Sequence, residues 1–148
     1  MSDVRATLRF DGVHAKYTTY KIDGTEIAYS PTAAGGSAQV GLAVALAGDG
    51  IVDLCGDGEP VHGKLIAVEA DGFCTVQTGG FCELPGGTGA TLTRNTKIVG
   101  DLLVAAKGYV QTFAASSTVT AAEVTTAAVT RGTIIDPSVA TAVIVDLG

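Results

Sequence analysis

Between Gly58 and Leu84 the chain repeats one device, and that device restricts the fold more than anything else in the sequence. Short runs of β-branched, aromatic and aliphatic residues are cut by Asp71-Gly72 and Gly79-Gly80. Asp-Gly and Gly-Gly between apolar runs are hairpin signals, because tight turns need positive φ and glycine reaches it without a Cβ clash. The register can be read as well. A three-residue loop, Ala70-Asp71-Gly72 with Gly72 at positive φ, pairs Val68 with Cys74 and Ile66 with Val76. A two-residue turn at Asp71-Gly72 would mix polar and apolar partners. The register that collects one apolar face is favoured, and a β-meander with one buried side is expected here. A two-residue turn at Gly79-Gly80 would then set Cys82 opposite Gln77, on the face away from Cys74.

The same grammar runs through most of the chain. Val4, Ala6, Leu8 and Phe10 alternate with Arg5, Thr7 and Arg9, the period of a half-buried strand. Tyr17–Ile22, a turn at Asp23-Gly24 and Thr25–Tyr29 read as a second hairpin, and Ala33–Ser37 as a flexible loop. Val40, Leu42, Val44 and Leu46 alternate with Gly41, Ala43 and Ala45, the clearest strand pattern in the chain, although its alanines leave a helix open. Turns follow at Asp49-Gly50 and Asp57-Gly58. Strand-like pieces recur at Thr96–Val99, Leu102–Ala105 and Tyr109–Phe113, with Lys107-Gly108 as a turn, and at Thr133–Asp136 and Ala140–Leu147. Thr120-Ala-Ala-Glu123 matches a capping box, which predicts one short helix to Thr130 with Gly132 at its C-terminal cap.

The expected fold is therefore mainly β: a small barrel or sandwich-like body of short antiparallel strands, residues 38–148, with one short helix near the C-terminus. Residues 1–37 are expected to form an extended N-terminal arm carrying a β-hairpin. At 148 residues the chain is long enough for one domain with a buried core. Its 20 glycines and 47% hydrophobic residues fit many short strands and tight turns.

Charge narrows the partners. A net charge of −6 argues against nucleic acid and anionic membranes. No apolar run approaches the ~20 residues of a membrane-spanning helix. The first residues, Met-Ser-Asp-Val-Arg, lack the apolar centre of a signal peptide, so synthesis in the cytoplasm is expected. Cys55, Cys74 and Cys82 are an odd set without metal-ligand spacing, and are read as buried free thiols.

No catalytic constellation forms in the sequence. His62 lies near Cys55, Asp57 and Glu59, but turn chemistry explains the Asp-Gly pair, and His62 reads as the opening of a strand. His14 reads as a surface histidine. Gly86-Gly87-Thr88-Gly89 lacks the Lys-Ser/Thr and following helix of a phosphate-binding loop. No catalytic residue, cofactor or metal is expected.

Four phrases carry a further likeness: Asp-Gly-Glu-Pro-Val-His-Gly-Lys-Leu, Val-Glu-Ala-Asp-Gly, Thr-Val-Gln-Thr-Gly-Gly, and Ile-Ile-Asp-Pro-Ser-Val-Ala-Thr-Ala-Val-Ile-Val-Asp-Leu. Through them the stretch from residue 39 to 148 resembles small capsid decoration (cement) proteins of tailed bacteriophages. The resemblance implies an all-β body without enzymatic activity. It implies a homotrimer seated on the major capsid protein at three-fold or local three-fold positions of the outer head surface, reinforcing the virion. Attachment is expected to involve Val4, Arg5, Leu8, Arg9, Phe10, Tyr17 and Tyr20, because an alternating strand can add to an exposed sheet edge of a partner. Two other classes stand beside this reading, a receptor- or carbohydrate-binding head of a phage fibre and a small β-barrel hydrolase.

Overall fold

The computed structural model describes residues 14–88 and 91–148. The chain is mainly β, as the turn grammar predicts. Ten strands are present among the described residues: β1 (Lys16–Ile22), β2 (Ala43–Gly48), β3 (Ile51–Leu54), β4 (Gly63–Val68), β5 (Phe73–Gly79), β6 (Phe81–Leu84), β7 (Ile98–Leu103), β8 (Ala106–Thr112), β9 (Thr133–Asp136) and β10 (Val143–Asp146). The single α-helix among the described residues, α1, spans Ala121–Val129. Five strands close a barrel in the order β1–β3–β2–β4–β5. A three-stranded sheet, β6–β10–β9, and the hairpin β7–β8 complete the body.

Two apolar cores result. The barrel interior holds Ile27, Val44, Val52, Leu54, Leu65, Val68, Cys74 and Val76. The second core gathers Ala43 and Ala45 from β2 with Cys55, Val61, Cys82, Leu84, Ile98, Val110, Ile134, Val143, Val145 and Leu147. Over Ala43–Ala45 β2 is thus buried on both faces, one in each core. Each large side chain fully removed from water in this way contributes about 1.5–3 kcal/mol.

The β4–β5 turn forms as the sequence predicts. Gly72 takes φ 86°, Gly72 N–H donates to Glu69 C=O, Glu69 N–H donates to Phe73 C=O, and Val68 faces Cys74. Beyond it the register departs from expectation. The ladder shifts between Leu65 and Ala67, so Leu65 rather than Ile66 faces Val76. A bulge at Ile66 keeps the fully buried Leu65 pointing into the barrel.

Further expectations are corrected. The hairpin from Tyr17 to Tyr29 does not form: β1 pairs with β5 along Lys16–Lys21 and with β3 in parallel at Lys21 and Ile22. The Asp23 carboxylate instead accepts from Thr25 Oγ1 (2.6 Å), Glu26 N (3.0 Å) and Ile27 N (3.1 Å), folding the chain into a turn that drops Ile27 into the barrel. Within the segment expected as an arm, β1 is thus one of the five barrel strands. Ala33–Ser37 is not a free loop, since Ser37 is buried and a Cβ on Gly36 would lie 1.9 Å from Val68 C=O.

The Gly79-Gly80 step does not make a β5–β6 hairpin. It carries the chain from the barrel to the second sheet, where Cys82 faces Val145. Gln77, buried beside this crossing, donates from Nε2 to the C=O groups of Gly79 and Phe81, both at 3.0 Å. The turn expected at Lys107-Gly108 lies at Val104-Ala105, flanked by the pair Leu103–Ala106. Gly108 is inside β8, where a Cβ would meet Leu42 Cβ at 2.8 Å. Finally, Gly132 does not cap α1. The helix ends at the extended residue Thr130, and Gly132 makes room for Ile98, whose Cδ1 would lie 2.7 Å from a Cβ there.

The capping box forms in full. Thr120 Oγ1 accepts from Glu123 N–H (3.2 Å) and Thr120 N–H donates to Glu123 Oε2 (2.7 Å). The Glu123 carboxylate also accepts from Ser116 N–H (2.6 Å) and Ser116 Oγ (2.9 Å). At the other end, Thr130 Oγ1 donates to Ile98 C=O (2.7 Å) and accepts from Val61 N–H (2.9 Å), pinning the end of the helix into the second core.

Candidate interaction surface

Of the expected attachment residues, Val4, Arg5, Leu8, Arg9 and Phe10 lie outside the described residues. Tyr17 and Tyr20 lie on β1, and strand alternation separates them. Tyr17 is 56% exposed. Tyr20 and Ile22 turn inward and pack on the barrel core. The Tyr20 hydroxyl makes a 2.7 Å hydrogen bond with His62 Nε2, and the two rings meet edge to face at 5.2 Å. Burial, together with the nearby Arg131 charge, lowers the His62 pKa, which favours the neutral imidazole at physiological pH. His62 also donates its backbone N–H to Val44 C=O immediately before β4. It therefore serves as an internal partner for Tyr20, at the end of the barrel where β1 is most exposed.

β3 covers β1 only at Lys21 and Ile22. Along Lys16–Thr19 no described strand continues the ladder on that side, and all four side chains are exposed. This stretch offers Lys16, Tyr17 and two threonines, without a carboxylate, on an otherwise acidic molecule.

The titratable groups elsewhere are arranged for structure. Lys107 Nζ meets Glu26 Oε1 at 2.5 Å, joining β8 to the turn that follows β1. That hydrogen bond raises the Lys107 pKa. Both side chains are partly exposed, and a pair of this kind contributes about 0–1 kcal/mol. Burial, followed by the charges of Glu26 and Glu59, raises the Asp53 pKa. The Cys55 thiol is pushed up to about 12, first by burial and then by Glu59. Burial likewise raises Cys74. All three cysteines are free and buried, as the sequence predicts, and Cys55 is a weak nucleophile at neutral pH because the thiolate is the reactive form. Among the described residues no three His, Cys, Asp or Glu side chains are grouped to hold a metal, and no helix is long and apolar enough to cross a membrane.

What the sequence reading missed is apolar. Leu46, on β2, is 55% exposed. It lines a groove of about 180 Å³ with Ala45, Glu59, Pro60, Val61, His62 and Val129. α1 exposes Val124 and Val129, and Val119 is exposed just before it. One signal was available. From Ala121 to Val129 only Glu123 is charged, so any solvent-facing arc without residue 123 is uncharged.

Comparison of the chain with protein-family models, with curated proteins and with solved structures finds no match.

Proposed function

We propose that the chain is a structural capsid decoration protein. In this reading it binds the major capsid protein on the outer surface of a phage head, as a homotrimer at three-fold or local three-fold positions, and stabilises the shell. The observation that carries it is a closed β-barrel body whose strand β1 is exposed along Lys16–Thr19 and, among the described residues, has no neighbour there on one side. A strand edge without a neighbour is a site for pairing with another chain. Tyr17 and the residues Val4, Arg5, Leu8, Arg9 and Phe10 make the contact, and Tyr20, held by His62, supports the strand from inside.

Three further features agree with the role. The phrases that resemble cement proteins run through β4, β5, β9 and β10, which contribute to the two cores, and through the segments beside them. A net charge of −6 keeps such a body off a packaged genome. Many copies on one shell act together, so each contact need only be weak.

The test has two parts. Mass spectrometry of purified virions should find this chain in a fixed ratio to the shell protein. Deleting residues 1–12 should leave a folded body that no longer binds decoration-free heads, and unchanged binding by that variant would remove the attachment assigned here.

A further inference from the structure

The β7–β8 hairpin packs against the barrel and leaves a cavity of about 360 Å³ at the seam. Segments far apart in the chain line it: Glu26 after β1, Gln39 and Leu42 before β2, Leu54 at the end of β3, and Lys107 with Tyr109 on β8. Its shape is set by the packing. Gly108 N–H donates to Cys55 C=O at 2.9 Å, and Gly108, having no Cβ, lets β8 lie directly on Leu42. The Lys107–Glu26 ion pair ties the hairpin to the turn after β1. A largely apolar hollow between two packed units, with a few fixed polar groups, is the common form of a small-molecule site.

The polar groups say what it would hold. Leu42 and Leu54 supply apolar lining beside the barrel core. Glu26 gives one carboxylate oxygen to Lys107, whereas the other, Oε2, is buried and makes no hydrogen bond. An unpaired buried acceptor is costly. Gln39 is held by Ser37, whose Oγ donates to Gln39 Oε1 at 2.7 Å and accepts from Gln39 N–H at 3.2 Å. That fixes the amide and leaves its Nε2 without a partner among the described residues. The cavity thus sets an unmet acceptor beside unmet donors.

We infer that this cavity binds a neutral, polyhydroxylated ring of the pyranose class. Each hydroxyl is donor and acceptor at once. Neighbouring hydroxyls of one ring donate to Glu26 Oε2 and accept from Gln39 Nε2 and Lys107 Nζ, and the ring C–H groups lie on Leu42 and Leu54. Charge disfavours the other classes. Asp53 interacts with Glu26, Glu59 and Asp23, and Lys107 is the one ammonium among them, so an anionic ligand meets net repulsion. A cationic ligand would have to compete with Lys107 for Glu26. The inference is independent of the attachment assigned to β1, because none of Lys16–Thr19 lines the cavity.

Proton–nitrogen correlation NMR of the full chain tests it, by separate titration with the methyl pyranosides of glucose, galactose and mannose. At least one should shift the amides of Leu42, Lys107 and Gly108 together and saturably, at millimolar concentration. Gln39→Ala and Lys107→Met should each weaken that binding by about five-fold or more, the effect of roughly one lost hydrogen bond. Should Lys107→Met lose its fold, Gln39→Ala decides alone. The inference is overturned if none of the three sugars gives saturable shifts at these amides, or if Gln39→Ala binds as tightly as wild type. Sodium acetate or ethylammonium chloride moving the same amides as far at equal concentration would overturn it too. Binding of Gln39→Ala to decoration-free heads should match wild type, and a loss there would assign the cavity to shell attachment instead.

Discussion

Ala43 and Val44 are neighbours on β2, and each is fully buried in a different core. Val44 points into the barrel and faces Leu54, whereas Ala43 points outward into the core shared with β6, β9 and β10. The wall between the two cores is one strand thick, and the residue sizes on its two sides are not interchangeable.

Two variants measure this. Val44→Ala leaves a cavity in the barrel and should destabilise the chain by about 2–3 kcal/mol. Ala43→Val overfills the second core and should cost about 1–3 kcal/mol. Urea unfolding should give lower midpoints for both, with the slope unchanged. A neutral Ala43→Val would mean that the second core has room to spare.

The β7–β8 turn predicts a gain. Val104 and Ala105 occupy φ 58° and 95°, and Val104 is 84% exposed. A left-handed conformation costs a residue with a Cβ about 1–2 kcal/mol, and a two-residue turn with positive φ at both positions favours Asn-Gly. Val104→Asn with Ala105→Gly should therefore raise the thermal midpoint by a gain of about 1–2 kcal/mol. A lowered midpoint would show that the valine side chain makes a contact worth more than the strain.

Thr130 is a buried link between three segments. Thr130→Val keeps the shape but strands Val61 N–H and Ile98 C=O, at about 1–3 kcal/mol for each group left unpaired. Thr130→Ser should recover most of the loss. Equal stability of the valine and serine variants would show that neither hydrogen bond matters.

Acid should act on the helix start. Hydrogen bonds from Thr120 N–H, then from Ser116 N–H and Oγ, hold the Glu123 pKa down to about 2, against an ordinary value of 4.5. A carboxyl depressed on folding contributes stability that is complete above its unfolded pKa and is lost as pH falls through the folded value. In wild type the stability contributed by Glu123 should therefore decline between about pH 4.5 and 2. Glu123→Gln should remove that part of the decline, which chemical denaturation across this range would reveal. Matching pH slopes for the two proteins would rule out the assigned role of the carboxylate.

The Tyr20–His62 pair shows how far local pattern could reach toward the candidate surface. Tyr17 and Tyr20 look equivalent when chosen for aromaticity, but they differ in parity on β1, and parity sends one outward and the other into the barrel. That much was legible in the alternation. The partner of Tyr20 was not, because His62 is 42 residues away and reaches it only through barrel closure. The exposed arc of α1 was legible in composition, yet its outward direction depends on how Thr130 anchors the helix end.

Sequence alone determined the β4–β5 turn and the start of α1, both of which close within a few residues. Gly72 makes its turn because no other residue enters positive φ so readily, and Thr120 with Glu123 starts α1 because each satisfies the other's exposed N–H. Tertiary structure decided which strands pair and which faces are inside. Alternation on β2 marks two faces but cannot rank them when both are buried. Gly79-Gly80 permits either a hairpin or a crossing to a new sheet, and the choice falls to whichever buries Cys82 and Leu84 beside β10. Asp23-Gly24 reads as a hairpin turn, yet β1 finds a longer partner in β5, with six paired positions. Turn chemistry acts over bonds that are always close, whereas pairing and burial depend on surfaces that meet only when the whole chain has folded.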